Sequence, residues 1–211
     1  MEKSVEQQMQ EVKEKALLCT DCRLSETRIQ VVFGEGNPQA QLVLVGEGPG
    51  EQEDKSGRPF VGRAGRLLEA VLEEAQLQRR DLWISNVIKC RACIIEDGRA
   101  RNRPPRVDEL KACRKWLDAE LNLIKPSVIV CIGAPAANLL IHKNFKMTEE
   151  RGQWFTDSLY APAVIAVLHP AYLLRQHGEE YKRMRQLLID DLIEANKRTE
   201  ATRERQQLTL F

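Results

Sequence analysis

Four short apolar runs recur along the chain and constrain its fold more than any other feature. They are nearly continuous in Val, Ile and Leu, which is typical of strands that are covered on both faces of a sheet. The runs span residues 41–45, 82–88, 128–132 and 163–168. We therefore expect a buried, mainly parallel sheet rather than a sheet with one face in water.

Helical patterns separate these runs, and an amphipathic helix is expected in residues 1–18. The patterns between and after the runs span residues 64–75, 107–123, 134–141 and 173–197. Strands that alternate with helices predict a three-layer α/β/α sandwich with a central, mainly parallel four-stranded sheet. In a chain of 211 residues we expect one domain, 1–197, followed by a flexible tail, 198–211.

Composition narrows the class of protein. No apolar run approaches the ~20 residues of a membrane span, and the N-terminus MEKSVEQQMQEVKEK is too polar for a signal or transit peptide. With 32 basic and 31 acidic residues the net charge is +1, so only a local basic patch is possible. We expect a cytoplasmic monomer that does not associate with membranes.

Three loops follow strands at the edge of the sheet where doubly wound folds bind ligands. The first, GEGPGE from Gly46 to Glu51, continues as a glycine-rich loop containing Phe60. It lacks a Walker A ending, so it is either a functional loop or a plain turn. Asn86 ends the second run and His169 follows the fourth. At the end of a strand, an Asn or His side chain has either a structural or a functional role.

Six cysteines are numerous for a chain expected in a reducing compartment, which favours metal ligation over disulfides. They are Cys19, Cys22, Cys90, Cys93, Cys113 and Cys131. Cys131 lies within an apolar run and is most simply a core residue. Cys19 and Cys22 form one pair of ligands, and spacing alone favours Cys90-x-x-Cys93 as the second half of a zinc site. Cys90 with Cys113 is the alternative, as half of an iron–sulfur site.

The ordered set of motifs resembles the uracil-DNA glycosylase superfamily, and most closely its family 4, the iron–sulfur enzymes. The motifs are CTDCRLSETR, VVFGEGNPQAQLVLVGEGPGEQEDKSGRPFVGRAGRLL, SNVIKC and HPAYLLR, from about Cys19 to Arg175. The resemblance implies a DNA repair enzyme that flips uracil out of single- or double-stranded DNA. It would hydrolyse the N-glycosidic bond and leave an abasic site.

The resemblance also implies roles for single residues. Glu47 and His169 are the expected catalytic residues. Tyr172 and Leu173 are expected to form the wedge that enters the DNA. The residues expected to bind uracil are Gly48, Phe60, Asn86 and His169.

A [4Fe–4S] cluster is implied as the cofactor. Its expected ligands are Cys19, Cys22, Cys90 and Cys113. The segment between the last two holds 22 residues, longer than is usual in the family. Cys93 lies in this insert and remains an alternative to Cys113. The arginine-rich part, 94–106, is either a DNA-phosphate patch or a solvated loop. A related group with an inserted basic loop traps uracil covalently through a histidine. The insert in this chain contains no histidine, so we do not expect covalent trapping.

The C-terminal residues QLTLF resemble the bacterial sliding-clamp-binding motif. The residues concerned are Gln207, Leu208, Leu210 and Phe211, and the alternative is a frayed apolar terminus. Two further hypotheses compete with the glycosylase. One is a non-catalytic DNA-binding relative with a structural iron–sulfur or zinc site. The other is a nucleotide-binding α/β protein with structural zinc.

Overall fold

The computed structural model describes residues 3–208, of which residues 203–208 are described by their backbone alone. Its strands are β1 (Glu35–Gly36), β2 (Leu42–Gly46), β3 (Trp83–Asn86), β4 (Cys93–Glu96), β5 (Arg99–Asn102), β6 (Val128–Ile132), β7 (Trp154–Phe155) and β8 (Ala163–Val167). Six of them form a central sheet in the order β1-β3-β2-β6-β8-β7, and β4 and β5 form a separate hairpin.

The four predicted strands are β2, β3, β6 and β8, which run parallel to one another. The prediction of four strands was wrong in number, because β1 and β7 add antiparallel edges. Each of these edge strands has two residues. A segment that short carries no apolar pattern from which a strand can be predicted.

Helices cover both faces of the sheet, which confirms the three-layer α/β/α architecture. They are α1 (Val5–Leu17), α2 (Glu51–Ser56), α3 (Arg63–Glu74), α4 (Val107–Ile124), α5 (Ala134–Leu140), α6 (Met147–Glu150), α7 (Pro170–Leu173) and α8 (Gly178–Leu208). One core packs α1, α4 and α5 against the sheet, and a second packs α3, α7 and α8 against the opposite face. Strand side chains alternate between the two cores, so both faces of the sheet are dry.

The predicted helix 173–197 is interrupted in the structure. Helix α7 ends at Leu173, and α8 begins at Gly178, whose φ of +57° favours glycine. This break creates the short helix that follows His169. A second difference is α2, which forms inside the long loop expected after β2.

Helix α8 extends beyond Lys197 to Leu208, through the first part of the segment expected to be a flexible tail. Residues 198–208 are mostly Arg, Glu, Ala, Gln and Leu, which favour helix. The side chains of the proposed clamp motif, Gln207, Leu208, Leu210 and Phe211, lie outside the described residues. None of the helices over residues 3–208 combines the length and apolar character that crossing a membrane requires.

Candidate active site

A cavity of about 240 Å³ opens at the carboxyl ends of β2, β3 and β8. This is the edge at which doubly wound sheets place their ligands. The five residues predicted from sequence to form the pocket all line it: Glu47, Gly48, Phe60, Asn86 and His169. Parallel register explains their convergence, because Gly46 of β2 lies beside Asn86 of β3.

Glycines let the loop after β2 approach the neighbouring side chains. A Cβ on Gly46 would lie 2.5 Å from Phe60 Cζ and 2.6 Å from Asn86 Oδ1. A Cβ on Gly48 would lie 2.5 Å from Ile88 Cγ1. Both positions therefore exclude larger residues for reasons of space. Glycine at these positions lets the loop pack closely against the strand ends.

Phe60 is held in a backbone conformation that L-residues rarely adopt. Its φ is +52°, and Arg79 Nη1 donates to its carbonyl oxygen over 3.3 Å. Glu35 in turn accepts from Arg79 Nε and Nη2 at 2.9 and 2.7 Å. The ring centroid lies 6.1 Å from that of His169 at an interplanar angle of 31°. These contacts fix an aromatic face in the pocket, and the positive φ costs about 1–2 kcal/mol.

Glu53 organises the loop, and sequence analysis did not single it out. Its Oε1 accepts from the backbone N–H groups of Val61 and Gly62 at 2.9 and 2.7 Å, and its Oε2 from that of Gly50 at 3.1 Å. One carboxylate thus ties together the two ends of the loop around the cavity that it lines. The signal was a glutamate three residues after the residue that caps α2, as in a capping box.

The side-chain amide of Asn86 has no hydrogen-bond partner within the described part of the chain, although the residue is only 3% exposed. The backbone carbonyl oxygen of Asn86 accepts from Lys89 Nζ at 2.9 Å. Lys89 also pairs with Glu120 at 2.7 Å, and both side chains are almost completely buried. Ser85 donates to the same Glu120 oxygen at 2.6 Å. A buried polar network therefore fixes the backbone at the strand end and leaves the amide free for a ligand.

His169 faces the cavity as a neutral imidazole. It caps α7, and its Nδ1 accepts from the backbone N–H of Ala171 at 3.0 Å. The ring proton is then on Nε2, which is free to donate. Burial, with a smaller contribution from Arg175, lowers the pKa of His169 from 6.5 to about 4. The hydrogen bond to Nδ1 and the lowered pKa both favour the neutral imidazole.

Glu47 is half-buried at the same cavity. Burial raises the pKa of its carboxyl above 4.5. Its side chain forms no hydrogen bond to the part of the chain that the structure describes, so it is available to a water molecule or a ligand. A desolvated carboxylate interacts more strongly with a positive charge that develops beside it.

The two residues predicted to form a DNA wedge have different surroundings. Tyr172 is 39% exposed, whereas Leu173 is 0% exposed and belongs to the core under α3 and α8. A side chain buried in the core cannot enter DNA, so the wedge prediction was wrong for Leu173. This burial could not be predicted from sequence, because both residues follow His169 in a helix too short for periodicity to assign a face.

Four cysteines line one small cavity near the end of α1. They are Cys19, Cys22, Cys90 and Cys113, the set implied by the resemblance. Cys93 begins β4 and Cys131 lies in β6, and neither lines this cavity. The structure therefore does not support a zinc site built from two Cys-x-x-Cys pairs, nor the exchange of Cys113 for Cys93.

The donors around this cavity are four cysteines, the ligand type of iron–sulfur groups. Over residues 3–202, no three His, Cys, Asp or Glu side chains converge closely enough to hold one metal ion. Two groups are placed to stabilise thiolates: Arg28 Nη1 donates to Cys90 Sγ over 3.4 Å, and the Lys89 N–H donates to Cys113 Sγ over 3.1 Å. Four sulfurs around a shared space, with N–H donors, suit an iron–sulfur group.

The arginine-rich insert forms the hairpin of β4 and β5, whereas the expectation was a DNA-phosphate patch or a solvated loop, without strands. Its base reaches the pocket, because Ala92, Asn102 and Arg103 line the cavity. Asp97 and Gly98 form its turn with φ angles of +50° and +72°. An Asp-Gly pair between strands is a known signal for this turn type, so the hairpin was detectable from sequence.

Comparisons with known proteins point to one superfamily. A family model described as the uracil DNA glycosylase superfamily matches residues 33–193. A Type-4 uracil-DNA glycosylase of Thermotoga maritima is 42% identical over 191 residues, which cover 90% of this chain and 94% of the relative. A second Type-4 enzyme, of Sulfurisphaera tokodaii, is 36% identical over 86% of this chain and 85% of its own. A Type-5 uracil-DNA glycosylase of Thermus thermophilus is 28% identical over 79% of each chain.

Proposed function

This chain belongs to the uracil-DNA glycosylase superfamily, and from that premise we propose that it removes uracil from DNA as a repair enzyme. The observation that carries the proposal is a buried, unpaired amide on Asn86 that shares a cavity with the neutral imidazole of His169. A non-catalytic relative would not need this combination. The relatives named Type-4 favour the enzyme over the nucleotide-binding alternative.

Recognition of uracil would rest on Asn86 and Phe60. The amide oxygen accepts a hydrogen bond from uracil N3–H, and the amide NH₂ donates to O4. Cytosine presents the opposite pattern at these two positions, so it would leave buried polar groups unpaired. Phe60 stacks on the extruded base, and Gly48 keeps room for it.

Bond cleavage would rest on charge stabilisation at both ends of the breaking bond. His169 donates from Nε2 to uracil O2 while negative charge develops on the base. A neutral imidazole suits this role, because its Nε2–H donates a hydrogen bond and keeps its proton in the ground state. Glu47 faces the sugar, where its carboxylate stabilises the oxocarbenium-like centre and holds the attacking water.

We further propose that the enzyme is monofunctional. Among the described residues, no lysine lines the cavity, and Lys89 is committed to Glu120 and the Asn86 carbonyl. Strand cleavage through a covalent amine intermediate would need such a nucleophile. The product is therefore an intact strand with an abasic site.

A [4Fe–4S] cluster held by Cys19, Cys22, Cys90 and Cys113 is proposed as the cofactor. The support is their shared cavity, the two N–H donors to sulfur and the similarity to Type-4 enzymes. The cluster would supply cross-linking rather than chemistry at the base, by joining the segment after α1 to the strand end that carries Asn86. Thiolate ligation of this kind stabilises a fold by coupling metal binding to folding.

The C-terminal motif at 207–211 is proposed to bind the sliding clamp, which would tether the enzyme to replicating DNA. This proposal rests on the sequence QLTLF alone. Its test is binding of the full chain to purified bacterial clamp, with Leu210→Ala/Phe211→Ala as the variant. Equal binding by both chains would contradict it.

The reaction is tested with end-labelled oligonucleotides that carry one uracil opposite guanine, opposite adenine or in a single strand. We expect strand breaks only after alkali, which opens abasic sites. His169→Ala should lower the rate about 10²–10³-fold, as expected for loss of one donor to a developing oxyanion. His142→Ala is the matched control, since His142 pairs with Glu150 away from the cavity. Breaks without alkali would contradict the monofunctional proposal, and no breaks would contradict the enzyme.

A further inference from the structure

The β4–β5 hairpin lies beside the pocket and has no role in the proposed mechanism. It pairs with no strand of the central sheet. Residues 91–106, which contain it, hold five arginines and two acidic residues in a chain whose net charge is only +1. The local excess of positive charge at the mouth of a DNA-binding pocket therefore requires an explanation.

The register of the hairpin assigns its side chains to two faces. Cys93 lies opposite Asn102, and Ile95 lies opposite Ala100. Residues opposite each other, and those two apart on a strand, share a face. Since Asn102 lines the cavity, Ile95 and Ala100 lie on the face that is turned toward the pocket.

The second face carries charge. Ile94 lies opposite Arg101, and Glu96 lies opposite Arg99. Arg101 pairs with Glu96 at 3.3 Å, but the two side chains are 70% and 50% exposed, so the pair contributes little and is easily replaced by a phosphate. Arg99 has no ion-pair or hydrogen-bond partner among the described residues.

Exposed apolar surface accompanies the arginines. Ile95 is 65% exposed and Ile94 is 39% exposed. A lone two-stranded hairpin is marginally stable in water, yet this one places branched apolar residues in solvent. Such residues on a basic element beside a binding pocket indicate a contact surface rather than a solvated loop.

The base of the hairpin is fixed to the pocket wall. Buried Arg91 donates from Nε to Asn102 Oδ1 at 2.7 Å and from Nη2 to the Ala100 carbonyl at 3.2 Å. The Arg103 N–H donates to the Ala92 carbonyl at 3.0 Å, and the Arg103 side chain pairs with buried Glu109 of α4 at 2.6 Å. The hairpin is therefore held in a defined position, which lowers the ordering cost of binding.

We propose that the β4–β5 hairpin is a DNA clamp that holds the strand beside the extruded nucleotide. Ile95, on the face turned toward the pocket, packs against the sugar or base edge next to it. Arg99 and Arg101, on the opposite face, contact phosphates of the DNA that continues past the hairpin. Ala171 of α7 lines the same cavity as Asn102, so DNA over the pocket mouth lies between the hairpin and the helix that bears Tyr172. The inference rests on the proposed function, because it assumes that DNA covers this pocket.

The test uses the full-length protein and a duplex with 2′-fluoro-2′-deoxyuridine opposite guanine, whose glycosidic bond resists cleavage. The dissociation constant is measured over a range of salt concentrations. Arg99→Ala/Arg101→Ala should weaken binding about tenfold near physiological salt and lower the slope of log Kd against log salt by about 1–2. The control is Arg80→Ala/Lys125→Ala, which removes two exposed cations that precede β3 and β6 at the opposite edge of the sheet; its slope should match the unaltered protein.

Ile95→Ala tests the apolar contact separately. It should leave the salt slope unchanged and lower the single-turnover rate at subsaturating enzyme about three- to tenfold. Leu159→Ala is its control, since Leu159 is 91% exposed and precedes β8 at the edge away from the pocket. Melting temperatures of all variants should agree with that of the unaltered protein, because the replaced side chains lie mostly in solvent.

The outcomes separate this inference from the proposed function. If the unaltered protein removes uracil and the double arginine variant keeps its affinity and salt slope, the hairpin proposal is wrong and the proposed glycosylase activity stands. An Ile95→Ala rate equal to that of its control would overturn the apolar contact. If the unaltered protein removes no uracil, the proposed function is wrong, and the hairpin proposal is wrong with it.

Discussion

At the scale of single residues, the proposed chemistry depends on two groups whose pKa values are shifted in opposite directions. Burial raises the pKa of Glu47 above 4.5 and lowers that of His169 from 6.5 to about 4. The lowered pKa leaves the imidazole of His169 neutral at neutral pH, as the proposed mechanism requires.

We therefore predict a pH profile without a step at 6.5. The single-turnover excision rate should stay level as the pH passes through 6.5, and it should fall at lower pH when the Glu47 carboxylate is protonated. Glu47→Gln should lower the plateau and remove this acid limb. A fall centred near pH 6.5 that is lost in His169→Ala would contradict the neutral imidazole.

The same shift on His169 has a consequence for stability. The unfolded chain binds a proton at this imidazole near pH 6.5, whereas the folded chain does so only near pH 4. Between these values the unfolded state holds more protons, so folding stability falls as the pH falls. We predict that His169→Ala flattens this part of the dependence of the free energy of unfolding on pH, measured in urea. An unchanged dependence would contradict the assigned shift.

At the scale of elements, the loop between β2 and α3 is the part of the site with the most internal support. Glu53 accepts from three backbone N–H groups, and Gly65 lets α3 approach the Phe60 backbone, where a Cβ would lie 2.1 Å from its carbonyl carbon. The position of Phe60 thus depends on residues that do not contact the base. A side chain at Gly65 would meet backbone atoms, which cannot yield as a flexible side chain does.

We predict that Glu53→Ala lowers kcat/KM for uracil excision about 10- to 100-fold, because three loop donors lose their acceptor and the pocket wall loosens. Glu73→Ala on α3 is the control, since this exposed carboxylate takes no part in the loop. Melting curves separate a local from a global effect. A Glu53→Ala enzyme with the activity of the control would contradict the organising role.

The elements that carry a regular apolar pattern could be predicted from sequence. Those that depend on packing between distant segments could not. The parallel strands β2, β3, β6 and β8 were detectable because burial on both faces demands continuous apolar runs. Helix α2, the break before α8 and the burial of Leu173 depend on single glycines and on packing between distant segments. The pocket residues were predicted through family resemblance, whereas Glu53 and Asn102 were not singled out.

At the scale of the whole molecule, one side of the sheet connects the cysteine cavity with the pocket. Lys89 donates from its backbone to Cys113 and from its side chain to the Asn86 carbonyl. Glu120 joins this network to the Gly34 N–H at 3.0 Å. The proposed cluster and the base-reading strand end are therefore part of one buried structure.

We predict that Cys113→Ser lowers the iron content and the visible absorption of the purified protein and lowers its melting temperature. Cys93→Ser is the matched control, because Cys93 is as buried as Cys113 but lies in β4, outside the cavity. It should retain iron and absorption. Loss of iron in Cys93→Ser with retention in Cys113→Ser would reverse the ligand assignment.

The central claim is that the free amide of Asn86, beside neutral His169, selects uracil. It is tested most directly by single-turnover rates on two matched oligonucleotides that carry uracil or cytosine at one position. We predict that the unaltered protein removes uracil alone, and that Asn86→Ala lowers this rate about 100-fold with its melting temperature little changed. Asn196→Ala on α8 should behave as the unaltered protein. Removal of cytosine at a similar rate, or an Asn86→Ala variant as active as its control, would contradict the account.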